Sequence, residues 1–400
     1  MKLRFRLAVL LCLFFIQSYS LYSQNVYNED FLKFWEDYNS NYAYFKESEI
    51  DWMKVKQIYL PALDTVKNDY QFTCLLEKVI NEFHNGHISL TKNYTTSNRI
   101  IPSGADVFAE IQKNRYFITD IRPGSKADVS GIRPGMEILS FNGLAIPTQL
   151  KKFLPVSAAT ITPSMYSYAI NMLLAGTYDK KREFELLENG VAKKYFPDDM
   201  AAEVSIGLLD YKIIEDNIGY IKINNTLWNN ELIDAFDKAL DELMNTNALI
   251  LDLTETPGGG NTTVARGLMG RFTGRELPYQ KHVIEERQFG TVRSWVEYVT
   301  PRKKLYSKKI VVMVGHWTGS MGEGIAIGFD AMKRAKITGT KMAGLIGAIY
   351  TFSTKNTNIG YQIPLEKMYH VNGKPREDFV PEYLVRNSGE TFTKALQLAK

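Results

Sequence analysis

Two short apolar runs, ALILDL over 248–253 and KIVVMV over 309–314, constrain this 400-residue chain more than anything else in it. Runs of this length with so little polar alternation read as strands buried on both faces, the pattern of a parallel sheet covered by helices. The first is preceded by a strand-like IGYIKI over 218–223 and by a segment placing Leu232, Ile233, Phe236, Leu240 and Leu243 on one helical face. That is a βαβ unit. The second precedes a helical stretch from Gly322 to Met332, after which KITGT begins a further strand. Such alternation implies a mainly parallel sheet flanked by helices, with reactive groups at the carboxyl ends of strands.

The rest of the chain reads differently, and 400 residues exceed what one core organises, so two or three domains are expected. From 27 to 90, Phe31, Phe34, Trp35, Tyr38 and later Phe72, Leu75, Leu76, Val79, Ile80 and Phe83 recur at helical spacing, predicting a small helical cap. From 101 to 185, short runs such as YFITDI and EILSFNG alternate with Gly and Pro turns, predicting a compact β-rich module. The fold class expected is multidomain α/β.

Lys2, Arg4 and Arg6, an apolar run from Leu7 to Ile16 and small polar residues at Ser18, Ser20 and Ser23 have the layout of an export signal, cleaved near Ser20 to Ser23. About ten apolar residues are too few to span a bilayer. A lipid-bearing Cys12 fits poorly, because Val9 to Leu11 are bulky. Loss of the segment removes three positive charges and Cys12, taking the net charge from +4 to about +1. The mature chain is then expected to be periplasmic or secreted, without stable membrane insertion. It has no basic stripe for nucleic acid. Cys74 remains alone in the apolar helical pattern QFTCLLEKVI, so no internal disulfide or cysteine zinc site can form.

Three segments carry chemistry. In VVMVGHWTGSMGEG, Ser320 sits where a strand turns into a helix, which exposes a nucleophile and offers the Met321 N–H to a developing oxyanion. An N-cap serine looks the same locally. In LILDLTETPGGGNT, a strand runs out into Pro257 and three glycines, whose N–H groups, at Gly258 or Gly259, can complete an oxyanion hole. No GK[ST] and no GxGxxG order supports a phosphate loop. The base must come from His84, His87, His282, His316 or His370. His87, after the glycine in EFHNGH, is the first choice and His316 the second; His84 and His87 together make only a weak metal signal. No metal or cofactor is expected.

Together these segments resemble serine peptidase family forty-one, the C-terminal processing (tail-specific) and tricorn-type peptidases, over most of the mature chain. SKADVSGIRPGMEILSFNG, Ser125 to Gly143, is similar to a PDZ signature; LDLTETPGG is similar to the family's oxyanion segment; and TGSMGE is similar to its nucleophile segment, with Glu323 in a supporting place. The resemblance implies a signal over 1–23, a helical domain over 24–99, a PDZ domain over 100–190 and a crotonase-like catalytic core over 191–400. Members with a Ser–Lys dyad carry the lysine about 25 residues after the serine, where this chain has Leu345, while Lys341 is offset and reads as a surface residue. Tricorn-type relatives use a histidine from a glycine–histidine turn, which NGH ending at His87 resembles.

The resemblance further implies a carboxylate near the C-terminus. In GKPREDFVPEYLV, Glu377 is the choice, with Asp378 and Glu382 open. The activity implied is that of an exported serine endopeptidase acting on extended or unfolded polypeptide through Ser320, His87 and Glu377. The substrate's C-terminus would be held at Gly104 and Val107 of the PDZ domain, by strand addition. The alternative is a peptidase fold without catalysis that binds peptides through its PDZ module, motivated by the missing lysine; nothing in the sequence fixes an oligomeric state.

Overall fold

The computed structural model describes residues 26–202 and 205–400; the expected export signal and Cys12 lie outside the described residues. The N-terminal layer consists of α1 (26–41), α2 (Trp52–Tyr59) and α3 (Asp69–Asn81). Asp51 and Asn68 cap α2 and α3 by accepting the Lys54 and Gln71 N–H groups, satisfying donors that a helix start leaves free. The faces predicted from spacing are buried: Phe31, Phe34, Tyr38, Phe72, Leu76 and Val79 pack with Ile359, Tyr361 and Ile363 from the far end of the chain. The helical layer therefore has no core of its own. Trp35 and Trp52 each donate an indole N–H to the other's backbone carbonyl, at 2.9 and 3.0 Å, so both rings bury without orphaning a donor.

A β-rich region comes next in the chain. It comprises β1 (Val107–Gln112), β2 (Arg115–Ile121), α4 (Lys126–Val129), β3 (Glu137–Phe141), β4 (Leu144–Ala145), α5 (Ile146–Leu150), α6 (Pro163–Ala175), β5 (Phe184–Glu188) and β6 (Val191–Tyr195). Its antiparallel sheet runs β1-β2-β3-β5-β6, with β4 on β3. Two features differ from the sequence expectation. The boundary at 190 falls inside the β5–β6 hairpin, whose cross-strand pairs run from Phe184–Tyr195 to Glu188–Val191. And α6 was not anticipated: it is apolar on nearly every side, with nine of its thirteen residues buried, so no amphipathic period marks it. Its start was nonetheless signalled by Thr162 as N-cap and Pro163 at the first position.

The remaining chain forms two sheets. The elements are β7 (Leu209–Ile214), β8 (Ile218–Ile223), α7 (Leu232–Glu242), β9 (Ala248–Asp252), α8 (Thr262–Met269), β10 (Leu277–Glu286), β11 (Thr291–Val299), β12 (Lys309–Val314), α9 (Met321–Ala331), β13 (Lys336–Gly339), β14 (Ala348–Ser353), β15 (Gly360–His370), β16 (Tyr383–Leu384) and α10 (Ser388–Ala399). The larger sheet runs β16-β13-β12-β9-β8-β7, parallel except for β7. Leu249, Leu251, Ile310 and Val312 face α7, α8 and α9, while Ile250, Val311 and Met313 face α10. Burial on both faces explains the unbroken apolar runs. Fully burying a Phe236 or Leu240 side chain contributes about 1.5–3 kcal/mol. A smaller antiparallel sheet runs β11-β10-β15-β14, and α9 packs against β10. Among the described residues, no helix is long and apolar enough to cross a membrane.

The β-rich region is pinned to its neighbours by named bonds. Glu82, buried after α3, accepts from Tyr59 Oη (2.7 Å), Val156 N (3.0 Å) and both Ser157 N (3.0 Å) and Oγ (2.7 Å). Asp120 of β2 accepts the N–H and hydroxyl of Ser388, each at 2.8 Å. Arg122 pairs with Glu255 at 2.7 Å, and the Trp317 indole donates to the Ala105 carbonyl at 2.8 Å. Two of the three core anchors, Glu255 and Trp317, lie within the segments that the sequence singled out, and Ser388 does not.

Candidate active site

Adjacent parallel strands β9 and β12 end level with each other, Asp252 opposite Met313. Their following turns are laced together. Thr318 Oγ1 donates to Leu253 O (2.8 Å) and accepts the Gly315 N–H (2.9 Å); Gly319 N–H donates to Thr256 O (3.0 Å). The approach is close enough that a Cβ at Gly319 would lie 3.0 Å from Pro257 O and 2.9 Å from Leu345 Cδ1. Only glycine fits there without displacement. Ser320 closes the turn at φ 52°, ψ −112°, a conformation that costs an L-residue about 1–3 kcal/mol and is held only where its surroundings dictate it. Its N–H donates to Glu323 Oε2 at 2.8 Å.

The Met321 N–H opens α9, and no hydrogen bond engages it among the described residues. The two glycines proposed as oxyanion donors part company. Gly258 donates its N–H to Asn225 Oδ1 at 2.9 Å, so it is not free for an oxyanion. Gly259 is exposed, a Cβ there would meet nothing within 4 Å, and its N–H has no partner among the described residues. Asn225, in the left-handed region at φ 56°, was not singled out by the sequence; the only cue was its place just beyond the β8 strand.

His87 comes from the turn that follows α3. Its Nδ1 lies 2.7 Å from Ile346 O; a carbonyl only accepts, so Nδ1 carries the proton and Nε2 keeps its lone pair. Burial holds this imidazole down at about 4, and the Arg376 guanidinium adds to the effect against the bond to Ile346. The ring is therefore neutral at pH 7. The neighbouring residues of the same short segment hold the serine side: Gly344 and Leu345 donate their N–H groups to Glu323 Oε1 at 2.9 and 3.3 Å, and Asn85 Nδ2 reaches Gly344 O at 3.1 Å. Leu345, standing where dyad relatives carry lysine, is buried with its side chain against Gly319. One segment, 344–346, thus touches both the nucleophile turn and the histidine.

Glu323 is fully buried, and burial lifts its carboxyl to about 7, with Arg376 and the three N–H donors opposing. Glu377 does not orient His87 here, since Ile346 O occupies that place. It is half-buried beside Tyr44, burial raising its pKa, and its Oε2 lacks a partner, whereas Asp378 and Glu382 are exposed. The second-choice base, His316, is turned away: its ring stacks on Phe108 at 3.7 Å and Nε2 is 3.8 Å from Asp120. Burial and Lys341 hold it at about 3. His84 Nδ1 meets Glu82 O, a different carbonyl from the one His87 meets. Among the described residues no three His, Cys, Asp or Glu side chains are arranged to hold a metal ion.

The residues expected to hold a peptide C-terminus are committed internally. The Gly104 N–H donates to Ile100 O (2.6 Å), the Ala105 N–H to Pro102 O (3.1 Å), and the Val107 side chain is buried. Along β1, Asn171 of α6 takes both the Ala109 N–H (2.9 Å) and its carbonyl (3.1 Å), the groups an added strand would use. A cavity of about 360 Å³ lies between this region, the helical layer and the core, lined by His84, Phe108, Tyr168, His316, Lys341 and Leu345 among others. Ser320 and His87 do not line it, although Gly86 and Trp317 do.

Residues 217–382 match Peptidase family S41, and residues 23–81 match the Tricorn protease C1 domain. The structure of mature CPAF complexed with lactacystin is similar in fold, with TM-score 0.65 and 16% identity over 94% of this chain and 96% of that one. The photosystem II D1 C-terminal processing protease gives TM-score 0.55 and 15% identity over 90% and 93%.

Proposed function

Because residues 217–382 belong to peptidase family S41 and the chain is a serine peptidase, we propose that Ser320 and His87 carry its chemistry on polypeptide substrates beyond the inner membrane. The observation that supports this most is the strained Ser320 at a strand-to-helix turn, with the unpaired Met321 N–H next to it and the unpaired Gly259 N–H in the facing turn. A peptide carbonyl carbon is attacked by Ser320 Oγ as His87 Nε2 takes the hydroxyl proton. The carbonyl oxygen, now negative, is held by the Gly259 and Met321 N–H groups. Nε2–H then gives its proton to the departing amine as the C–N bond breaks, and water hydrolyses the acyl-enzyme by the same route in reverse roles. Glu377 belongs to this proposal as the carboxylate that the resemblance implies, next in the chain to Arg376, and Ile346 O as the acceptor that fixes the imidazole tautomer in the free enzyme.

The β-rich region is proposed to be PDZ-like, and export to rest on the segment before residue 24. A fluorophosphonate probe tests the chemistry: wild type should be labelled at one site, Ser320→Ala not at all, and His87→Ala at a rate reduced about 10³-fold or more. An unlabelled wild type that also hydrolyses no denatured protein would overturn the reading in favour of a non-catalytic peptide binder.

A further inference from the structure

A buried arginine stands at the centre of the site without an obvious structural purpose. Arg376 is 2% exposed, no carboxylate pairs with it among the described residues, and its Nε lacks any partner. Burying an unpaired cation is expensive, so something must hold it there. Its Nη2 donates to Leu345 O (2.8 Å) and to Gly347 O (2.9 Å), the carbonyls on either side of Ile346. Ile346 O is the acceptor of His87, while the N–H groups of Gly344 and Leu345 hold Glu323, which holds Ser320 N. A single guanidinium therefore clamps the four-residue segment on which both halves of the site hang. No other side chain among the described residues bonds two carbonyls of this segment.

We propose that Arg376 is the positioning residue of this active site, pinning segment 344–347 so that its backbone aligns His87 with the Ser320 turn. In dyad relatives the corresponding segment carries the base as a lysine; here it carries Leu345 and holds the base from outside, which creates the need for a pin. The proposal rests on the Ser320–His87 reading. Arg376 also acts at a distance on charge. Arg376 is the charged group that acts on the imidazole, and the titratable groups that face Arg376 in turn are Glu323 on α9, Glu377 beside it on the closing turn, Tyr44 from the helical layer and Tyr279 on β10. A fixed positive charge disfavours the imidazolium, so removing it raises the His87 pKa.

The test compares Arg376→Met, which deletes charge and donors, with Arg376→Lys, which keeps the charge but whose shorter stem leaves the ammonium short of the Nη2 position that reaches both carbonyls. Arg376→Met should lower kcat by about 10²-fold with KM within about threefold, as for a displaced catalytic group. The acid limb of its kcat/KM profile should move up from about 4 toward the ordinary imidazole value. Arg376→Lys should lose about tenfold in kcat with the limb unmoved. If Arg376→Met fails to fold, Arg376→Lys decides alone, since kcat within twofold of wild type would overturn the pin. A folded Arg376→Met with normal kcat and an unmoved limb would do the same. Failure of the underlying reading looks different: His87→Ala would then label as fast as wild type, whatever the arginine variants do.

Discussion

The turns after β9 and β12 and the groove between β1 and α6 are built from similar parts, backbone N–H groups at glycine-containing turns beside a helix, yet they end in opposite states. In the core, Gly259 and Met321 leave their N–H groups unpaired, one of them at the surface. In the β-rich region, Gly104, Ala105 and Ala109 have theirs satisfied internally, Ala109 by the Asn171 side chain. Unpaired donors are costly when buried and are retained where a ligand or transition state will use them. Under the proposed reading the unpaired core donors are the ones an oxyanion would use, while the groove is closed by its own residue. The region that looks most like a peptide receptor in the sequence is thus bound to the core through Trp317, Asp120 and Arg122.

The contrast can be broken from the core side first. Gly319→Val should cost more than about 10²-fold in kcat, because its Cβ meets Pro257 O and Leu345 Cδ1 at or below 3.0 Å and drives the two turns apart. Probe labelling kinetics and thermal unfolding would separate this from loss of fold. Next, Asn225→Ala frees Gly258 and loosens the turn that presents Gly259, and kcat should fall about tenfold with KM nearly constant. An equal loss in KM would instead make Asn225 a substrate contact. The smallest effect is expected in the groove. Asn171→Leu strands the Ala109 N–H and carbonyl, costing about 1–3 kcal/mol in denaturant unfolding. An added peptide strand would now satisfy those groups, so fluorescence anisotropy should show C-terminal peptides binding severalfold tighter. Unchanged affinity would show that Asn171 is not what closes the edge.

Much of this was legible residue by residue. The apolar strands, the amphipathic α7 and the turn at Ser320 come from local periodicity and turn chemistry, where neighbours in sequence are neighbours in space. Gly258 shows the limit: PGGG announces free N–H groups, but which of them stays free depends on Asn225, 33 residues earlier. α6 escaped notice because a helix buried on nearly all sides has no polar face to set a period. The boundary at 190 failed because a hairpin partner, β6, is mostly exposed and carries little apolar signal.

The sequence by itself determined which residue types can react and which turns can expose them: a serine at a strand-to-helix turn, a glycine-rich turn and a histidine after a glycine. Only the tertiary structure shows how each of the five histidines is held, and so which of them the proposal can use. His87 and Ile346 are 259 positions apart, and both the bond between them and the two bonds by which Arg376 holds the flanking Leu345 and Gly347 go to carbonyls that any sequence possesses. Backbone acceptors leave no mark in the residue pattern, so a site clamped through them becomes visible only when the chain is folded.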